Sequence, residues 1–371
     1  MKRPASVEHP RETPSSGLTG YLIAFYLLLI AYVSLTPFSG WRLPATAPWT
    51  FLWQGWPKYF THFDLAINFI AYLPFGLLLY AYRAPFSSRG RAIAVSITSG
   101  VLLSLVLEIL QGFLYDRIAS NLDFLLNSVG CASGALLSAW LGRHTKLDVR
   151  LSRWRQQLFL PGVTIDIGLA LLCLWLISQL NPSIPFFGAG VVTEIPPSYG
   201  EGHDAAPVSE IPFALGTALN FCGLGLFVMT LMHSRSHALV AVQVLTGVAL
   251  CLKLFAAYLL LRPQVAAHWH SDETLTGLAI GFVVLLPLSF VRLNLRIYLA
   301  AVLILAGGML SKMAGSYTSL REVLRLFDWP YGQLLHFTGL TLYLHEIWPL
   351  VALIFLFWCW WRQRLDRNPA L

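Results

Sequence analysis

RAIAVSITSGVLLSLVLEILQGF, residues 91–113, is the stretch that decides the fold of this chain. Its apolar run is about as long as the ~20 residues that a helix needs to cross a bilayer. Similar runs recur along all 371 residues, of which 56% are hydrophobic and only 12% are charged. A soluble domain carries about a quarter charged residues and could not bury so much apolar surface. The sequence therefore predicts an all-α, polytopic transmembrane helix bundle.

Hydropathy and the breaks between apolar runs predict about ten membrane-spanning helices. These are expected at residues 18–37, 63–82, 91–113, 121–142, 160–180, 212–232, 238–261, 274–291, 297–315 and 336–361. Lysine and arginine collect at alternate ends of these helices, and the positive-inside rule places such ends in the cytoplasm. The opposite loops carry most of the loop acids, Glu194, Glu201, Asp204 and Glu210. Both termini are therefore predicted to be cytoplasmic, which agrees with an even number of spans.

Basic segments divide the chain into predicted units. Residues 1–16, rich in proline and mixed charges, are expected to form a disordered cytoplasmic tail. A four-helix unit at 17–142 is followed by a basic cytoplasmic linker at 143–158, which is expected to lie along the anionic inner leaflet. A second four-helix unit is predicted at 159–292, and two further helices with a basic tail at 293–371.

Three of the predicted helices carry polar side chains that lipid would not tolerate without partners. Residues three and four apart share one face of a helix, and this spacing relates Asp64 to Asn68, Ser104 to Glu108 and Gln111, and Asp123 to Asn127, Gly130 and Gly134. Asn68, Glu108 and Asn127 each lie about 4–6 residues from the predicted outer end of their helix. At 1.5 Å per residue, that spacing puts them at a shared depth of ~6–9 Å.

The sequence therefore predicts one shared polar site in the outer half of the membrane. Its candidate ligand-binding residues are Asp64, Asn68, Ser104, Glu108, Gln111, Arg117, Asp123 and Asn127. Arg117, in the short outer loop, is the nearest candidate cation for Glu108. Gly130 and Gly134 form a small-xxx-small face that would allow close helix packing.

These residues also carry a family resemblance. The ordered set Asn68, Pro74-Phe75-Gly76, Ser104, Glu108, Gln111, Arg117, Asp123, Asn127, Gly130 and Gly134 resembles the signature of the VanZ-like family. That family is named after a membrane protein associated with resistance to the glycopeptide teicoplanin. The resemblance covers residues ~18–142 and implies a multi-pass protein of the bacterial cytoplasmic membrane. It implies no particular reaction.

Four functions fit the predicted site. The first is binding or shielding of a lipid-linked cell-envelope component, with an effect on teicoplanin susceptibility. The second is an intramembrane enzyme in which Glu108 acts as general acid or base, although no nucleophile is evident. The third is a lipid transporter or flippase, for which polar groups near the midplane are expected. The fourth is a structural scaffold in which Glu108 hydrogen bonds to Gln111 or Asn127. Binding is the favoured interpretation, and whether the protein is an enzyme is left open.

The second unit reads as a degenerate copy of the first. Asn220 lies in a short string that echoes the one around Asn68, and Gly277 and Gly281 repeat the spacing of the earlier glycine pair. Lys253 stands in the helix where an acid would be expected. No partner for this isolated membrane charge can be named from the sequence.

Other motifs predict little chemistry. No cofactor or metal is predicted, because His268, His270, Asp272 and Glu273 lack the spacing of a helical metal site and read as a solvated loop end. Nucleic acid is not an expected partner, and the oligomeric state is left open. His336, His345 and Glu346 are interpreted as interfacial groups. The five cysteines are expected to be small buried hydrophobes, and these are Cys131, Cys173, Cys222, Cys251 and Cys359.

Overall fold

The computed structural model describes residues 17–44, 46–57, 60, 62–145, 147–188, 210–262, 272–314, 327 and 333–367. These residues form eleven α-helices and no β-strand. The helices are α1 (Leu18–Leu35), α2 (His62–Arg83), α3 (Arg89–Gln111), α4 (Asn121–His144), α5 (Leu147–Leu158), α6 (Val163–Ser178), α7 (Glu210–Leu231), α8 (Arg235–Leu260), α9 (Asp272–Leu288), α10 (Leu293–Ala314) and α11 (Gln333–Arg367). The predicted all-α membrane bundle is confirmed.

Eight helices are long and apolar enough to cross a membrane, namely α1, α2, α3, α4, α7, α8, α10 and α11. The other two predicted spans, α6 and α9, are shorter, at 16 and 17 residues. Both nevertheless run beside a full-length span. Backbone hydrogen bonds from Leu160 to Leu231 and from His233 to Leu158 join the start of α6 to the end of α7, and α9 packs alongside α7. Each of the ten predicted spans therefore corresponds to a helix, and eight of these helices are long enough to cross a membrane while two are shorter.

Successive helices alternate in direction, so each unit has two ends. We call outer the end at which α2 and α4 begin and α3 ends, following the loop charges. An antiparallel bridge from Trp41 to Leu114 holds the loops after α1 and α3 together at this end. At the opposite end, Arg89 at the start of α3 donates to the carbonyl of Ala139 in α4 at 2.9 Å.

Close packing of α2 against α4 depends on the predicted glycines. A Cβ atom at Gly130 would overlap the carbonyl oxygen of Phe69, and one at Gly134 would overlap the carbonyl oxygen of Leu73. Residues without side chains let helix backbones approach closely in a membrane. Gly134 comes four residues after Gly130, and Leu73, which it contacts, comes four residues after Phe69. The helices α2 and α4 therefore run in the same direction.

The second unit is organised around α7, the most buried of the eight spans. Gly277 and Gly281 of α9 pack against Ala214 and Ala218 of α7, again as a parallel pair. In α7, Asn220 lies two residues after Ala218, and Ala218 contacts Gly281, the second glycine of the α9 pair. In α2, Asn68 instead lies one residue before Phe69, and Phe69 contacts Gly130, the first glycine of the α4 pair. The two asparagines are therefore not at equivalent positions in the packing register, and the duplication itself stays a prediction.

The basic linker forms a helix of its own, α5. Arg155 pairs with Asp166 of α6 at 2.6 Å and also donates to the carbonyl of Leu160 at 3.1 Å. Leu151 and Trp154 are exposed, on a helix that also carries exposed arginines. The linker is thus anchored at the start of α6, and its placement on the membrane surface stays a prediction.

The prediction that all five cysteines are buried is confirmed only in part. The cysteines are not all buried, because Cys173 and Cys251 are exposed on outward helix faces, while Cys131 and Cys222 are buried as expected. The prediction was wrong there because an apolar run does not tell which of its faces meets lipid. The tail at 1–16, the loop acids Glu194, Glu201 and Asp204, and the histidines His268 and His270 lie outside the described residues.

Candidate functional site

The predicted polar residues of α2, α3 and α4 come together at the outer end. Asn127 of α4 donates from Nδ2 to Ser104 Oγ of α3 at 3.1 Å. Ser104 is fully buried, and Asn127 is 6% exposed. This hydrogen bond joins α3 to α4 at a buried position.

The side chain of Glu108 in α3 accepts a hydrogen bond from the backbone at the start of α4. Its Oε2 accepts from the N–H of Ser120 at 2.9 Å, and Ser120 in turn caps α4 by accepting from the N–H of Asp123 at 3.3 Å. A carboxylate at a helix N-terminus is favoured by the orphan N–H groups and the helix dipole. Glu108 is only 2% exposed, and within the described chain this is its one hydrogen bond.

The partners expected for Glu108 from sequence are bound elsewhere. Gln111 donates to the carbonyl of Ser34 in α1 at 3.1 Å, and Asn127 is committed to Ser104. The scaffold hypothesis, in which Glu108 hydrogen bonds to Gln111 or Asn127, was therefore wrong about the bonds. The reason is that α1 ends close by and offers free carbonyl groups, which helical spacing in α3 and α4 does not reveal.

Arg117 also turns towards α1. Its Nε donates to the carbonyl of Thr36 at 3.2 Å and its Nη2 donates to the carbonyl of Val33. A cation at a helix C-terminus is stabilised by the last carbonyl groups and the dipole. Burial lowers the pKa of Arg117 to about 10, while the charges of Glu108 and Asp123 act in the opposite direction. Arg117 therefore stays protonated at neutral pH, although it forms no ion pair with a described carboxylate.

Charged residues make up a partly exposed rim above this buried floor. Asp64, Arg117 and Asp123 are each half-buried, and Asp123 is within electrostatic range of the other two. Asn121 in the same turn as Asp123 donates to the carbonyl of Gln54 at 2.7 Å, which ties the tryptophan-rich loop to the rim.

Three buried polar atoms of the cluster have no hydrogen-bond partner among the described residues: Asn68 Nδ2, Tyr72 Oη and Asn127 Oδ1. Asn68 lies beside Asp123 and Tyr72 lies near Ser104 and Glu108, yet none of these pairs reaches hydrogen-bonding geometry. Each unpaired buried group costs about 1–3 kcal/mol. Their parent residues are 9%, 3% and 6% exposed.

Tyr72 is a site residue that the sequence analysis did not select. The signal was available, because Asp64, Asn68 and Tyr72 follow each other at intervals of four and therefore share one face of α2. A tyrosine in an apolar helix is usually interpreted as a lipid-facing or core residue. For that reason its hydroxyl is not among the polar groups selected from the sequence.

Below the cluster the three helices are tightly closed. Cys131 is fully buried, and a Cβ atom at Gly76 would overlap its carbonyl oxygen. A Cβ at Gly100 of α3 would meet the Cys131 thiol as well. The polar cluster is therefore partly exposed at its rim and closed at its floor. In the described part of the chain, no three His, Cys, Asp or Glu residues form a group that could hold a metal ion.

The comparison with known proteins agrees with the resemblance seen in the sequence. The model of the VanZ/LLP1 family matches residues 12–142, a range that contains α1 to α3, all but the last two residues of α4 and every residue of the cluster. No curated protein and no solved structure matches the chain. Residues 12–142 of this multi-pass membrane protein are therefore similar to the VanZ/LLP1 family, and the helices from α5 onward lie outside the family match.

Proposed function

We propose that the outer polar cluster binds the head group of a lipid-linked cell-envelope component in the bacterial cytoplasmic membrane. The observation that carries the proposal is the set of three unpaired buried atoms, on Asn68, Tyr72 and Asn127, around Glu108. Buried polar groups in folded proteins are nearly always paired. A ligand that supplies the missing partners would remove the cost of leaving them unpaired.

The arrangement favours a zwitterionic or peptidyl head group. Asn127 Oδ1 and the carboxylate of Glu108 accept hydrogen bonds, so they suit an ammonium or hydroxyl group. Asn68 Nδ2 donates, and Arg117 adds positive charge at the rim, so these residues suit a carboxylate or phosphate oxygen. The exposed apolar residues of the same helices, among them Ile70 and Val129, would contact the lipid tail.

Binding is favoured over transport by the closed floor. A transporter needs polar groups near the midplane and access from both sides. Here the backbone contact between Gly76 and Cys131 fills the space directly below the cluster. Binding is favoured over catalysis because, in the described part of the chain, neither hydroxyl of the cluster is hydrogen bonded to a general base. Ser104 is fully buried and accepts from Asn127, and Tyr72 Oη has no hydrogen-bond partner among the described residues.

The family resemblance supports the cellular part of the proposal. Glycopeptides act outside the cytoplasmic membrane, on the side to which the positive-inside rule assigns the cluster. A protein that holds a lipid-linked envelope component there would shield it and so lower susceptibility to teicoplanin.

Lipid mass spectrometry of the gently purified full chain tests the proposal. Glu108→Gln keeps the shape of the side chain and replaces its carboxyl group with an amide, and Glu346→Gln makes the same change at an exposed position of α11. We expect Glu108→Gln to retain at least about tenfold less of one lipid class, which corresponds to about 1.4 kcal/mol. Glu346→Gln should match the wild type. Equal lipid retention and equal teicoplanin susceptibility in all three proteins would contradict the proposal.

A further inference from the structure

A second buried polar cluster lies at the outer end of the second unit, around Lys253 of α8. The side chain of Lys253 is fully buried, and its Nζ donates to the carbonyl of Asn181 at 2.9 Å. Within the described residues no carboxylate forms an ion pair with it. Lys253 lies seven residues before the end of α8 at Leu260, which is ~10 Å from the outer end at 1.5 Å per residue.

Asn181 joins Lys253 to residues from two other parts of the chain. Its Nδ2 donates to Thr341 Oγ1 of α11 at 3.0 Å, and its Oδ1 accepts from Ser183 Oγ at 2.6 Å. His345, one turn beyond Thr341, is within electrostatic range of Lys253. The cluster is therefore built from α8, α11 and the segment that follows α6.

Two further buried side-chain atoms, on residues close to Asn181, have no hydrogen-bond partner in the described chain. They are Gln179 Oε1, two residues before Asn181, and Thr338 Oγ1, in the turn of α11 whose carbonyl accepts from Asn181 at 3.5 Å. Gln179 is 2% exposed and Thr338 is 1% exposed. Unpaired atoms at this degree of burial indicate a missing partner.

This second cluster is separate from the VanZ-like one, and α11 lies between them. His336 is within electrostatic range of Arg117, and Tyr343 packs edge-on against Tyr32 of α1. These two residues are seven apart, so they share one helix face. Thr338, Thr341 and His345 lie on the opposite face and meet the Lys253 cluster.

A buried ammonium group in a membrane protein is costly unless it has a counter-charge or marks a binding site. The carbonyl of Asn181 supplies only a dipole. Lys253 and the Thr338 hydroxyl are donors suited to an anionic oxygen, and Gln179 Oε1 needs a donor such as a hydroxyl group.

We propose that the Lys253 cluster is a second binding site, which takes an oxyanion of the phosphate class on a group that also bears hydroxyls. The oxyanion can come from a lipid head group or from free phosphate. The site does not depend on the function proposed for the VanZ-like unit.

The test measures binding of two probes to the full chain in nanodiscs. One probe is phosphatidylglycerol, titrated into a phosphatidylcholine bilayer, and the other is inorganic phosphate. Lys253→Met removes the charge at similar volume, a change that buried ion sites often tolerate. Thr338→Val removes one hydroxyl and serves as the second variant. Lys312→Met is the charge control, because Lys312 lies within electrostatic range of His345 in the same cluster but its side chain is exposed near the outer end of α10.

We expect Lys253→Met to weaken phosphatidylglycerol binding at least tenfold, Thr338→Val to weaken it several-fold, and Lys312→Met to leave it within twofold. Parallel losses for inorganic phosphate would assign the affinity to the oxyanion alone, and losses for the lipid only would assign it to the whole head group. Wild-type protein that binds neither probe, or equal binding by wild type, Lys253→Met and Thr338→Val, would overturn the proposal. Lys253→Met should retain the same amount of the lipid that the first site is proposed to hold, measured by mass spectrometry, so this site and the first can fail separately.

Discussion

Replacing Gly134 with alanine tests whether close packing of α2 against α4 positions the polar cluster. A Cβ atom at this position would overlap the carbonyl oxygen of Leu73 and would lie 2.9 Å from its carbonyl carbon and 3.0 Å from Leu77 N. These are backbone atoms of α2, which cannot rotate away as a side chain can. The two helices must therefore separate, and Asn127, two turns from Gly134 on the same face of α4, must move away from Asn68 and Tyr72 of α2.

Gly142 in the same helix provides the matched control, because a Cβ atom there meets no other atom within 4 Å. Alanine is favoured over glycine in a helix interior by about 0.5–1 kcal/mol at either position. That gain cancels when the two variants are compared. The difference that remains is the cost of overpacking, about 1–3 kcal/mol. Gly142→Ala should therefore be at least as stable as the wild type, and Gly134→Ala less stable than Gly142→Ala by that amount.

Reversible unfolding of the full chain in mixed micelles measures both free energies, with lipid retention as a second readout. Gly134→Ala should lose both stability and retained lipid, and Gly142→Ala should lose neither. Equal stability of the two variants would refute the close approach of α2 and α4 on which the position of the cluster depends.

Two further predictions concern individual contacts. Ser104→Ala leaves the amide of Asn127 without a partner, so we expect a loss of about 1–3 kcal/mol in unfolding free energy. Ser128→Ala, which removes only a hydrogen bond within α4, should cost less, and equal losses would contradict the interhelical role of Ser104. Arg155→Met leaves the buried carboxylate of Asp166 unpaired and should cost about 3–5 kcal/mol. The double variant Arg155→Met/Asp166→Leu should recover most of that loss by thermal unfolding, and failure to recover would mean that the ion pair itself is required.

The face and depth of the cluster could be predicted from the sequence because both follow from helix geometry. Spacings of three and four residues placed Ser104 with Glu108 and Asn127 with Gly130, and the distance to each helix end placed Asn68, Glu108 and Asn127 at one level. The hydrogen bond from Asn127 to Ser104 joins α4 to α3 near this depth. The glycine contacts between α2 and α4 followed from the same stripe.

The bonding partners could not be predicted, because most of them are backbone groups of other segments. Glu108 binds the N–H of Ser120, and Gln111 and Arg117 bind carbonyl groups near the end of α1. The packing of the chain decides which free backbone groups of a helix end come close to these side chains. The spacing of side chains along the sequence does not predict that packing.

Lys253 illustrates the same limit over a longer distance. Its partner carbonyl, on Asn181, lies 72 residues away along the chain, and Asn181 is bound in turn to Thr341, another 160 residues on. The sequence marked Lys253 as an isolated charge. Only the packing of α8, α11 and the segment after α6 identifies a cluster around it.

The central claim is that Asn68, Tyr72 and Asn127 hold a ligand head group at the outer end of α2 to α4. The most direct test is a cryo-electron microscopy map of the full chain in nanodiscs of bacterial lipid, with a bound antibody fragment to aid alignment. We expect non-protein density of head-group size within hydrogen-bonding distance of Asn68 Nδ2, Tyr72 Oη and Asn127 Oδ1, continuous with an acyl chain along α2 or α4. A map in which these three atoms bond to protein groups or to single waters would contradict it.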